Sequence, residues 1–428
     1  MTRRVLLIAW TAYPLNSSGA HRPDKFAKYL PEFGWSPVVL CPEWTEANGG
    51  GEYDPELAAK AEAYRTVRVP RMVRPSGVAR RGPGRAAQFL WPYCWPLLFT
   101  RRILAEAERL VAEEQVDVVW STYPPGPMHY VAGRVTRRHG IPWVADFRDL
   151  PDQDRDTRLS RRLVREEMRA CRSARALTAT TDWQRERLAG RHAAPVYTIS
   201  NGFDPTDFSA GERPETDAFT IRYFGTLYNY RDPRPLFEAL DRLVGAGEVD
   251  LDDVRVEFYG TPPQKIRTLV QGYHCRGVVR PCERVTHGEM VRLQARTHVL
   301  LLLKAPEAGG SIPAMLFDYL GARRPILNIP GDGNLVDGIL KETGAGISAA
   351  TPADIAGWLA KWYREFKASG TVPYSGRDEA IARYTRREGA RKLAGLLDSV
   401  VCTRDKPIRS RENTGHTSPE APKWFERR

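Results

Sequence analysis

Long apolar runs are missing from this sequence. No stretch approaches the ~20 consecutive apolar residues that a membrane-spanning helix needs, so we do not expect a transmembrane protein. The apolar run at residues 5–10 is shorter than the ~7–15-residue core of a signal peptide, and no small-residue cleavage site follows it. We therefore interpret residues 5–10 as part of a first buried β-strand.

Closely spaced cysteines are also missing. The six cysteines are scattered, none forms a CxxC pair, and the spacing of Cys275 and Cys282 matches no zinc template. This distribution favours structural thiols in a reducing compartment, and we expect a cytoplasmic protein. The GxGxxG signature of dinucleotide-binding proteins is absent as well, although residues 12–23 form a small-residue loop after the first predicted strand.

Acidic residues are outnumbered by basic ones. The chain has 64 Lys and Arg against 52 Asp and Glu, which gives a formal net charge of +12. Such an excess indicates an anionic partner: nucleic acid, anionic lipid headgroups or a phosphorylated ligand. The sequence has no zinc finger, no RNP signature and no ladder of basic and aromatic residues, so we expect no nucleic-acid partner.

What the sequence does contain is a repeated alternation of short apolar runs with longer amphipathic ones. This pattern is typical of βαβ units, and 428 residues exceed one ordinary core, so we predict an α/β fold with two doubly wound, Rossmann-like parallel-sheet domains. A polar stretch after Asn201 and Gly202 interrupts the pattern. The predicted divisions are 1–205 for the N-terminal domain, 206–375 for the C-terminal domain, 376–400 for a helix that packs back on the first domain, and 401–428 for a disordered charged tail.

Residues 71–110 break this alternation. Clustered arginines stand there beside Trp91, Tyr93, Trp95 and Phe99. Aromatic rings at headgroup depth and arginines on lipid phosphates would suit a peripheral contact with an anionic membrane. The alternative is an insertion that caps the first sheet and buries its aromatic side chains against the core.

Two loops in the second half follow predicted strands, at the sheet edge where open parallel sheets bind ligands. The loop after residues 218–225 contains Arg231, which could form bidentate hydrogen bonds to a diphosphate. The alternative is a surface arginine at the start of a helix. The loop after residues 298–303 leads into a predicted helix over 311–321, whose first N–H groups can receive phosphate oxygens.

An acid stands on that predicted helix. Asp318 can accept hydrogen bonds from the two vicinal hydroxyls of a ribose, and it would then bind the other end of the same nucleotide. Alternatively, Asp318 pairs locally with Arg323 or Arg324.

Five segments, in order along the chain, resemble motifs of GT-B glycosyltransferases of the family 4 type (glycosyl transferases group 1). They are SGAHRPDKFAKYLPEFGWSPVVL (18–40), IPWVADFRDL (141–150), SNGFDPTDF (200–208), YFGTLYNYRDPRPLFEAL (223–240) and SIPAMLFDYLGARRPILNIPGDG (311–333). The resemblance covers roughly residues 4–398. It implies two domains that face a cleft, and transfer of a sugar from a nucleotide-diphosphate-sugar to an acceptor hydroxyl with retention at the anomeric carbon.

The resemblance also assigns roles to individual positions. On the donor side it implies Gly19 near the phosphates, Gly225, Thr226, Arg231 and the backbone of Ser311 and Ile312 around the diphosphate, and Asp318 on the ribose. On the acceptor side it implies Asp146, Arg148 and Asp149. The catalytic histidine common in the family has no clear match; His129 is the nearest candidate, and a hydrogen-bonded helix histidine is the alternative.

The acidic loop 149–156 has Asp-x-Asp spacings that could hold a divalent cation, or its acids are simply solvated. GT-B enzymes resembling this chain usually neutralise the diphosphate with cationic side chains and helix dipoles. We therefore expect no obligatory metal and no cofactor, with the nucleotide-sugar as donor substrate. The acceptor could be a glycan of a polysaccharide, a lipid-linked glycan or a small-molecule natural product.

Several positions depart from the family pattern. Asn16 and Ser17 replace two glycines, Thr226 replaces a basic residue, Met315 replaces a lysine, Gly310 replaces an acid, and the ribose acid is Asp318 in place of a glutamate. Each lost charge would have stabilised a leaving diphosphate or oriented a sugar. Two alternatives to a transferase therefore stay open: a nucleotide-sugar epimerase on the same scaffold, and a GT-B-like binding protein without catalytic activity.

Overall fold

A computed structural model describes most of the chain. The described residues are 2–49, 52–70, 85–152, 157–209, 211–214, 217–228, 230–304, 310–331 and 333–402, with the backbone alone for residues 49 and 85–98. The chain forms two compact units. Unit 1 runs from the N-terminus to Ser200 and resumes at Arg386, and unit 2 comprises Asn201–Thr385.

Unit 1 is built around a parallel sheet. Its strands are β1 (Arg3–Ile8), β2 (Trp35–Pro42), β3 (Arg65–Val69), β4 (Val118–Tyr123), β5 (Trp143–Phe147), β6 (Ala176–Ala179) and β7 (Val196–Thr198). Its helices before residue 200 are α1 (Ser18–Tyr29), α2 (Glu46–Gly49), α3 (Pro55–Lys60), α4 (Arg85–Glu114), α5 (Pro127–His139), α6 (Arg158–Cys171) and α7 (Asp182–Ala189). Within the described residues the strand order is β3-β2-β1-β4-β5-β6-β7.

Both faces of this sheet are buried. Leu6 and Ile8 point into one hydrophobic cluster, and their neighbours Val5 and Leu7 point into the cluster on the other face. Successive side chains of a strand alternate between faces, so a strand that is covered on both sides reads as a continuous apolar run. This is why the short apolar runs of the sequence predict a parallel sheet.

Unit 2 repeats the arrangement with a second parallel sheet. Its strands are β8 (Phe219–Phe224), β9 (Val254–Tyr259), β10 (Val279–Cys282), β11 (Val299–Leu303), β12 (Ile326–Ile329) and β13 (Gly346–Ser348). Its helices are α8 (Arg234–Gly245), α9 (Pro263–Val270), α10 (His287–Ala295), α11 (Met315–Ala322), α12 (Leu335–Thr343), α13 (Pro352–Ser369) and α14 (Asp378–Ala382). The order in the described part is β10-β9-β8-β11-β12-β13.

Local sequence signals set several helix ends. The helix α13 begins with a capping box, in which Thr351 and Asp354 exchange side-chain-to-backbone hydrogen bonds, and Gly370 ends it in the left-handed conformation. The helix α5 begins at Pro127 and ends at Gly140, which also has a positive φ. These caps satisfy backbone groups that the helix itself leaves without partners.

The last helix, α15 (Arg386–Cys402), belongs to unit 1. Its apolar side chains pack on the sheet face that holds Val5 and Leu7, alongside Phe26 of α1 and Trp120 of β4. The preceding short helix α14 lies in unit 2. The chain therefore returns to unit 1 about ten residues later than the predicted start at 376.

The predicted helix over 311–321 is shorter in the structure. The helix α11 begins at Met315, and Ser311 and Ile312 lie in an irregular segment before it. Proline restricts the residue before it to extended conformations, so Pro313 prevents the helix from including Ile312. A helix that began at residue 311 would place Asp318 about two turns from its start. In the structure Asp318 stands in the first turn of α11.

Residues 71–84 and the side chains of residues 85–98 lie outside the described residues, and with them Trp91, Tyr93 and Trp95. Phe99 is described: it is fully buried and packs edge-on against Trp10, with ring centroids 5.5 Å apart. For Phe99, burial against the core is therefore the correct interpretation. Within the described residues, no helix has the length and apolar character needed to cross a bilayer.

Candidate active site

Each sheet has one point where the direction of strand addition reverses. In unit 1 it lies between the adjacent strands β1 and β4, and in unit 2 between β8 and β11. Open α/β sheets bind ligands beyond the carboxyl ends of the strands at such a switch point. The residues that follow these four strands are therefore the first place to look for a site, and the predicted donor residues after β8 and β11 are among them.

In unit 2, the loop after β8 begins with a glycine that the geometry requires. Gly225 has φ +135°, a conformation that L side chains rarely adopt. A Cβ added at Gly225 would stand 2.7 Å from Cε of Met315, at the start of α11. The start of α11 thus lies against the loop after β8 at this position, and the end of the Met315 side chain would have to move to admit a side chain on residue 225.

Arg231 lies in the same loop and is held by neutral groups. Its Nη1 donates to the hydroxyl of Tyr223 at 3.1 Å and to the carbonyl of Thr226 at 3.3 Å. Its guanidinium lies over the rings of Tyr228 and Tyr230, 5.4 and 6.0 Å from their centroids, and these two rings stack on each other. Its buried Nε has no hydrogen-bond partner. The cation is thus oriented, yet no described carboxylate neutralises it.

The backbone of this loop is fixed from the next strand connection. The hydroxyl of Thr261 donates to the carbonyl of Gly225 at 2.8 Å and accepts from the backbone N–H of Leu227 at 3.1 Å. Lys265, on α9, donates through Nζ to the carbonyl of Leu227 at 2.6 Å. The loop is therefore preorganised, which lowers the entropic cost of binding an anion there.

The helix α11 carries Asp318, the acid predicted for the donor site. Asp318 is half-buried, between the buried side chains of Phe317 and Tyr319. The hydroxyl of Tyr319 accepts from the backbone N–H of Phe224 and donates to the carbonyl of Leu301, both at 3.1 Å. Tyr319 thereby joins α11 to the end of β8 and to the middle of β11, and burial raises its pKa well above the usual value. Asp318 is held on a rigid element one turn beyond Met315.

In unit 1, Gly19 and Arg148 meet at the switch point. A Cβ at Gly19 would collide with Nη1 of Arg148 and would stand 2.6 Å from the hydroxyl oxygen of Thr11. Arg148 also donates through Nη2 to the carbonyl of Pro124 at 2.6 Å, just after β4. Burial lowers its pKa, although arginine remains cationic at neutral pH. The small residue at position 19 thus makes room for a cation of this chain.

Asp146, predicted on the acceptor side, is an interior residue. Asp146 and Arg22 both have 0% exposure, and Arg22 donates to the carboxylate through Nη2 at 2.7 Å and through Nε at 3.0 Å. The hydroxyls of Thr122 and Thr178 donate to the same carboxylate at 2.8 and 2.6 Å. A carboxylate so enclosed cannot contact an acceptor, so we correct the prediction: Asp146 positions α1 and three strands around Arg22.

His129 is also interior, at 2% exposure. Its Nδ1 lies 2.7 Å from the hydroxyl oxygen of Ser121, and its ring packs edge-on against Phe147 and Trp143. Burial lowers the pKa of His129 to about 3, so the ring is neutral at physiological pH. We therefore correct its assignment as a catalytic residue: the alternative, a hydrogen-bonded helix histidine, agrees with the structure.

Asp149 differs from Asp146, because its side chain is exposed. It follows Arg148 beyond β5, and its charge is one of the influences that raise the pKa of Tyr123 to about 12, after burial itself. Of the predicted acceptor residues, Arg148 and Asp149 thus stand at the carboxyl edge of the unit 1 sheet.

The acidic loop 149–156 is described only up to Asp152, whose carboxylate pairs with Arg187 and Arg191. Among the residues described, no group of three or more histidine, cysteine or acidic side chains could hold a metal ion. The predicted absence of a metal requirement remains a prediction.

Sequence reasoning missed the partners of the charged residues. Arg22 escaped notice, although a lone acid within the buried strand WVADF requires a cation or several donors. Tyr223, Tyr228 and Tyr230 also escaped notice, although the run YFGTLYNYR places them around Arg231. Lys304 is a further cation at the end of β11, with 5% exposure.

Comparison with known proteins agrees with this geometry. Residues 20–202 match the family model of the glycosyl transferase 4-like domain. No curated protein sequence matches the chain significantly.

Solved structures share the fold over nearly the whole chain. HepE of Anabaena, in complex with UDP and glucose, has 12% identity, a TM-score of 0.63, and coverage of 93% of this chain and 100% of its own. WaaG, a glycosyltransferase of lipopolysaccharide biosynthesis, has 15% identity, a TM-score of 0.50, and coverage of 94% and 100%. A protein of Listeria monocytogenes assigned as a UDP-N-acetylglucosamine 2-epimerase has 12% identity, a TM-score of 0.53, and coverage of 93% and 96%.

Two findings agree. The chain has two parallel sheets, each with a switch point, and part of it matches the glycosyl transferase 4-like family model. The fold class predicted from the sequence, GT-B, is confirmed by the solved structures. The chain has the GT-B fold, and its residues 20–202 match a glycosyl transferase 4-like domain.

Proposed function

We propose that the chain transfers a sugar from a uridine-diphosphate-sugar to an acceptor hydroxyl, with retention at the anomeric carbon and without an obligatory metal. The observation that carries the proposal is Arg231: an oriented guanidinium at the switch point of unit 2, with contacts to hydroxyl, carbonyl and ring groups and none to a described carboxylate. A diphosphate supplies the negative charge that this arrangement lacks. HepE, with the same fold, holds UDP and glucose.

The roles of the donor residues follow from their positions. Arg231 binds the diphosphate and stabilises it as it leaves, because a preorganised cation is most effective where negative charge develops. Gly225 lets the phosphates approach the backbone, next to Thr226. The backbone of Ser311 and Ile312 faces the diphosphate, and Asp318 accepts hydrogen bonds from the ribose.

On the acceptor side, we propose Arg148 and Asp149 as the residues in contact with the acceptor. For Gly19 we retain the proposal that it lets the donor phosphates approach, and its lack of a side chain also leaves room for Arg148. A glycan, a lipid-linked glycan or a small molecule with a free hydroxyl would serve as acceptor. We further propose a cytoplasmic location, supported by the five described cysteines, which are all free thiols.

The test is isothermal titration calorimetry of the full chain with UDP, in EDTA and then in Mg²⁺. We expect Arg231→Ala to weaken UDP binding about 10–100-fold, because a hydrogen bond to a charged group contributes about 1.5–3 kcal/mol. Asp318→Ala should weaken binding of UDP while leaving that of inorganic diphosphate unchanged. The matched control is Arg234→Ala: Arg234 is exposed and pairs with Asp232 at the same helix start.

Two outcomes would overturn the proposal. Equal UDP affinity in the wild type and in Arg231→Ala would remove the donor site. A requirement for Mg²⁺ in UDP binding would remove metal independence.

The epimerase alternative is favoured by one observation, the shared fold of the Listeria monocytogenes protein. It predicts a changed sugar-nucleotide from the donor alone, in the absence of any acceptor. Incubation of the wild type with UDP-sugars, followed by chromatography of the products, separates the alternatives. A new sugar-nucleotide supports epimerisation. A donor that stays intact alone and is consumed once an acceptor is added supports transfer, and UDP binding without turnover across an acceptor screen supports the inactive binding protein.

A further inference from the structure

The helix α6 in unit 1 has an unusually basic outer face. Six arginines lie exposed along it or at its C-terminal cap: Arg158, Arg161, Arg162, Arg165, Arg169 and Arg172. The exposed acid on this face is Glu166, which pairs with Arg162 at 3.0 Å. The outer face of α6 therefore carries a strong positive charge.

The same helix exposes large apolar side chains. Leu159 is 65% exposed, Leu163 is 36% exposed and Met168 is 40% exposed. Leu159 and Leu163 are one turn apart and form a stripe beside the arginines. Among the described residues, the other large exposed hydrophobic side chains are three tyrosines: Tyr130, Tyr228 and Tyr230. Three of the six thus belong to α6.

Leu159 and Leu163 face outward because the face of α6 that packs on unit 1 is occupied by polar side chains. Ser160 forms a capping box with Thr157, and Glu167 is buried with Oε1 2.8 Å from Nε2 of His192. Cys171 completes the buried face. The Glu167–His192 contact fixes the rotation of the helix about its axis, so Leu159 and Leu163 cannot turn into the core without exposing Glu167.

The position of α6 relates this face to the candidate site. Helices in a parallel α/β sheet begin at the edge where the preceding strand ends. The helices α5 and α6 follow β4 and β5, and Tyr130, in the first turn of α5, is 48% exposed. Tyr130 and Leu159 therefore stand at the carboxyl edge of the sheet, which is also where Arg148 and Asp149 stand.

We propose that the outer face of α6, with Tyr130, binds the surface of an anionic phospholipid membrane. The arginines bind lipid phosphates, and Leu159, Leu163 and Tyr130 enter the boundary between headgroups and acyl chains. Exposed leucines beside the cations favour lipid over nucleic acid, which offers no apolar layer to receive them. The membrane contact rests on the outer face of α6 and on Tyr130 of α5. That it brings a lipid-linked acceptor to Arg148 and Asp149 rests on the proposed function.

The experiment is cosedimentation of the full chain with phosphatidylcholine vesicles at low and high salt. The vesicles are prepared with and without about 30 mol% phosphatidylglycerol. We expect binding to the anionic vesicles that weakens as salt rises. The variant Arg158→Gln/Arg165→Gln/Arg169→Gln/Arg172→Gln should bind them at least about 100-fold more weakly, because four arginines at about 1 kcal/mol each near the surface correspond to a factor of about 1,000 at full effect.

A matched control removes the same charge elsewhere. Arg242→Gln/Arg267→Gln/Arg276→Gln/Arg280→Gln changes four exposed arginines of unit 2 and should keep wild-type binding. A second variant, Leu159→Ser/Leu163→Ser, retains every charge and should weaken vesicle binding about three- to tenfold through lost apolar burial. Circular dichroism and UDP titration of each variant verify that fold and donor site are intact.

Four outcomes would overturn the proposal. They are equal loss in the control, unchanged binding in the α6 variants, equal binding to uncharged vesicles, and binding to duplex DNA in place of vesicles. Because UDP titration is an independent readout, a wild type that binds vesicles but no UDP refutes the proposed function and leaves the membrane surface standing. A wild type that binds UDP but no vesicles does the reverse.

Discussion

Two arginines show how differently the two units use a cation. Arg22 of unit 1 is fully buried, forks onto Asp146, and donates to the carbonyls of Ile199 and Ser200 at 2.8 and 3.2 Å. Arg231 of unit 2 is half-buried and is held by hydroxyl, carbonyl and ring groups that carry no negative charge. Both guanidiniums are oriented, but Arg22 is neutralised by the protein and Arg231 is not.

The difference separates structural from functional charge. A buried ion pair whose lone pairs and protons are all used holds elements together and has no capacity left for a ligand. A cation oriented by neutral groups keeps its charge available for an anion, at little reorganisation cost when the anion arrives. A charged residue in a sequence motif therefore does not by itself indicate a ligand site. The groups that contact its side chain in the folded protein decide whether it is structural or free to bind a ligand.

The largest expected effect comes from removing the acid of the structural pair. Asp146→Ala leaves Arg22 buried without a counterion, and we expect a loss of about 3–5 kcal/mol in the free energy of unfolding. Urea denaturation followed by fluorescence measures it. The control Asp149→Ala, at an exposed position, should change stability by less than about 0.5 kcal/mol. Similar losses in both variants would break the distinction between the two acids.

A buried acid that is hydrogen-bonded by neutral groups sharpens the comparison within unit 1. Asp24 accepts from the backbone N–H of Tyr13 and from the hydroxyl of Tyr64, and burial raises its pKa from 3.8 to about 7. Below pH 4 the carboxyl is protonated in both the folded and the unfolded state. Between pH 4 and 7 only the unfolded state releases the proton, so this contribution to stability falls as pH rises.

The measurement is the free energy of unfolding against pH for the wild type and for Asp24→Asn. The difference between the two should change by up to about 1.4 kcal/mol per pH unit between pH 4 and 7, and should level off above pH 7. A difference independent of pH would show that Asp24 ionises normally in the folded protein.

Substitution of Gly225 tests whether the backbone of the loop after β8 is needed for UDP binding. Gly225→Ala forces a side chain into φ +135° and against Met315, and we expect a loss of about 1–3 kcal/mol in stability together with weaker UDP binding. Adding Met315→Ala should relieve the collision and leave the backbone strain. The control Gly247→Ala has a positive φ of +69° but no atom within 4 Å of the added Cβ, and it should leave UDP binding unchanged.

The smallest expected effect concerns the group that orients Arg231. Tyr223→Phe removes the hydroxyl that accepts from Nη1, and we expect the Kd for UDP to rise about three- to tenfold, which corresponds to roughly 1 kcal/mol. Calorimetric titration measures it. Tyr228→Phe preserves the ring beneath the guanidinium and should bind UDP as the wild type does. An unchanged Kd in Tyr223→Phe would mean that Arg231 needs no orienting partner.

Much of the fold follows from local patterns. The predicted strands over 218–225 and 298–303 correspond to β8 and β11, with no strand end displaced by more than one residue. Strands buried on both faces leave continuous apolar runs, and their alternation with amphipathic runs implies parallel order. The start of α11 was misplaced because hydrophobic periodicity extends through Pro313, whereas the backbone does not.

The sequence by itself determined the two α/β halves, their parallel sheets and the strand ends beside which the predicted donor residues stand, because these depend on periodicity and on where strands stop. Only the tertiary structure decided that Asp146 is enclosed, that His129 is interior, and that Arg231 is surrounded by tyrosines. Arg22 and Asp146 are 124 residues apart in the chain. The chain has 64 basic residues, and tertiary packing decides which of them contacts a given acid. The separation of two residues along the chain does not indicate whether they are in contact.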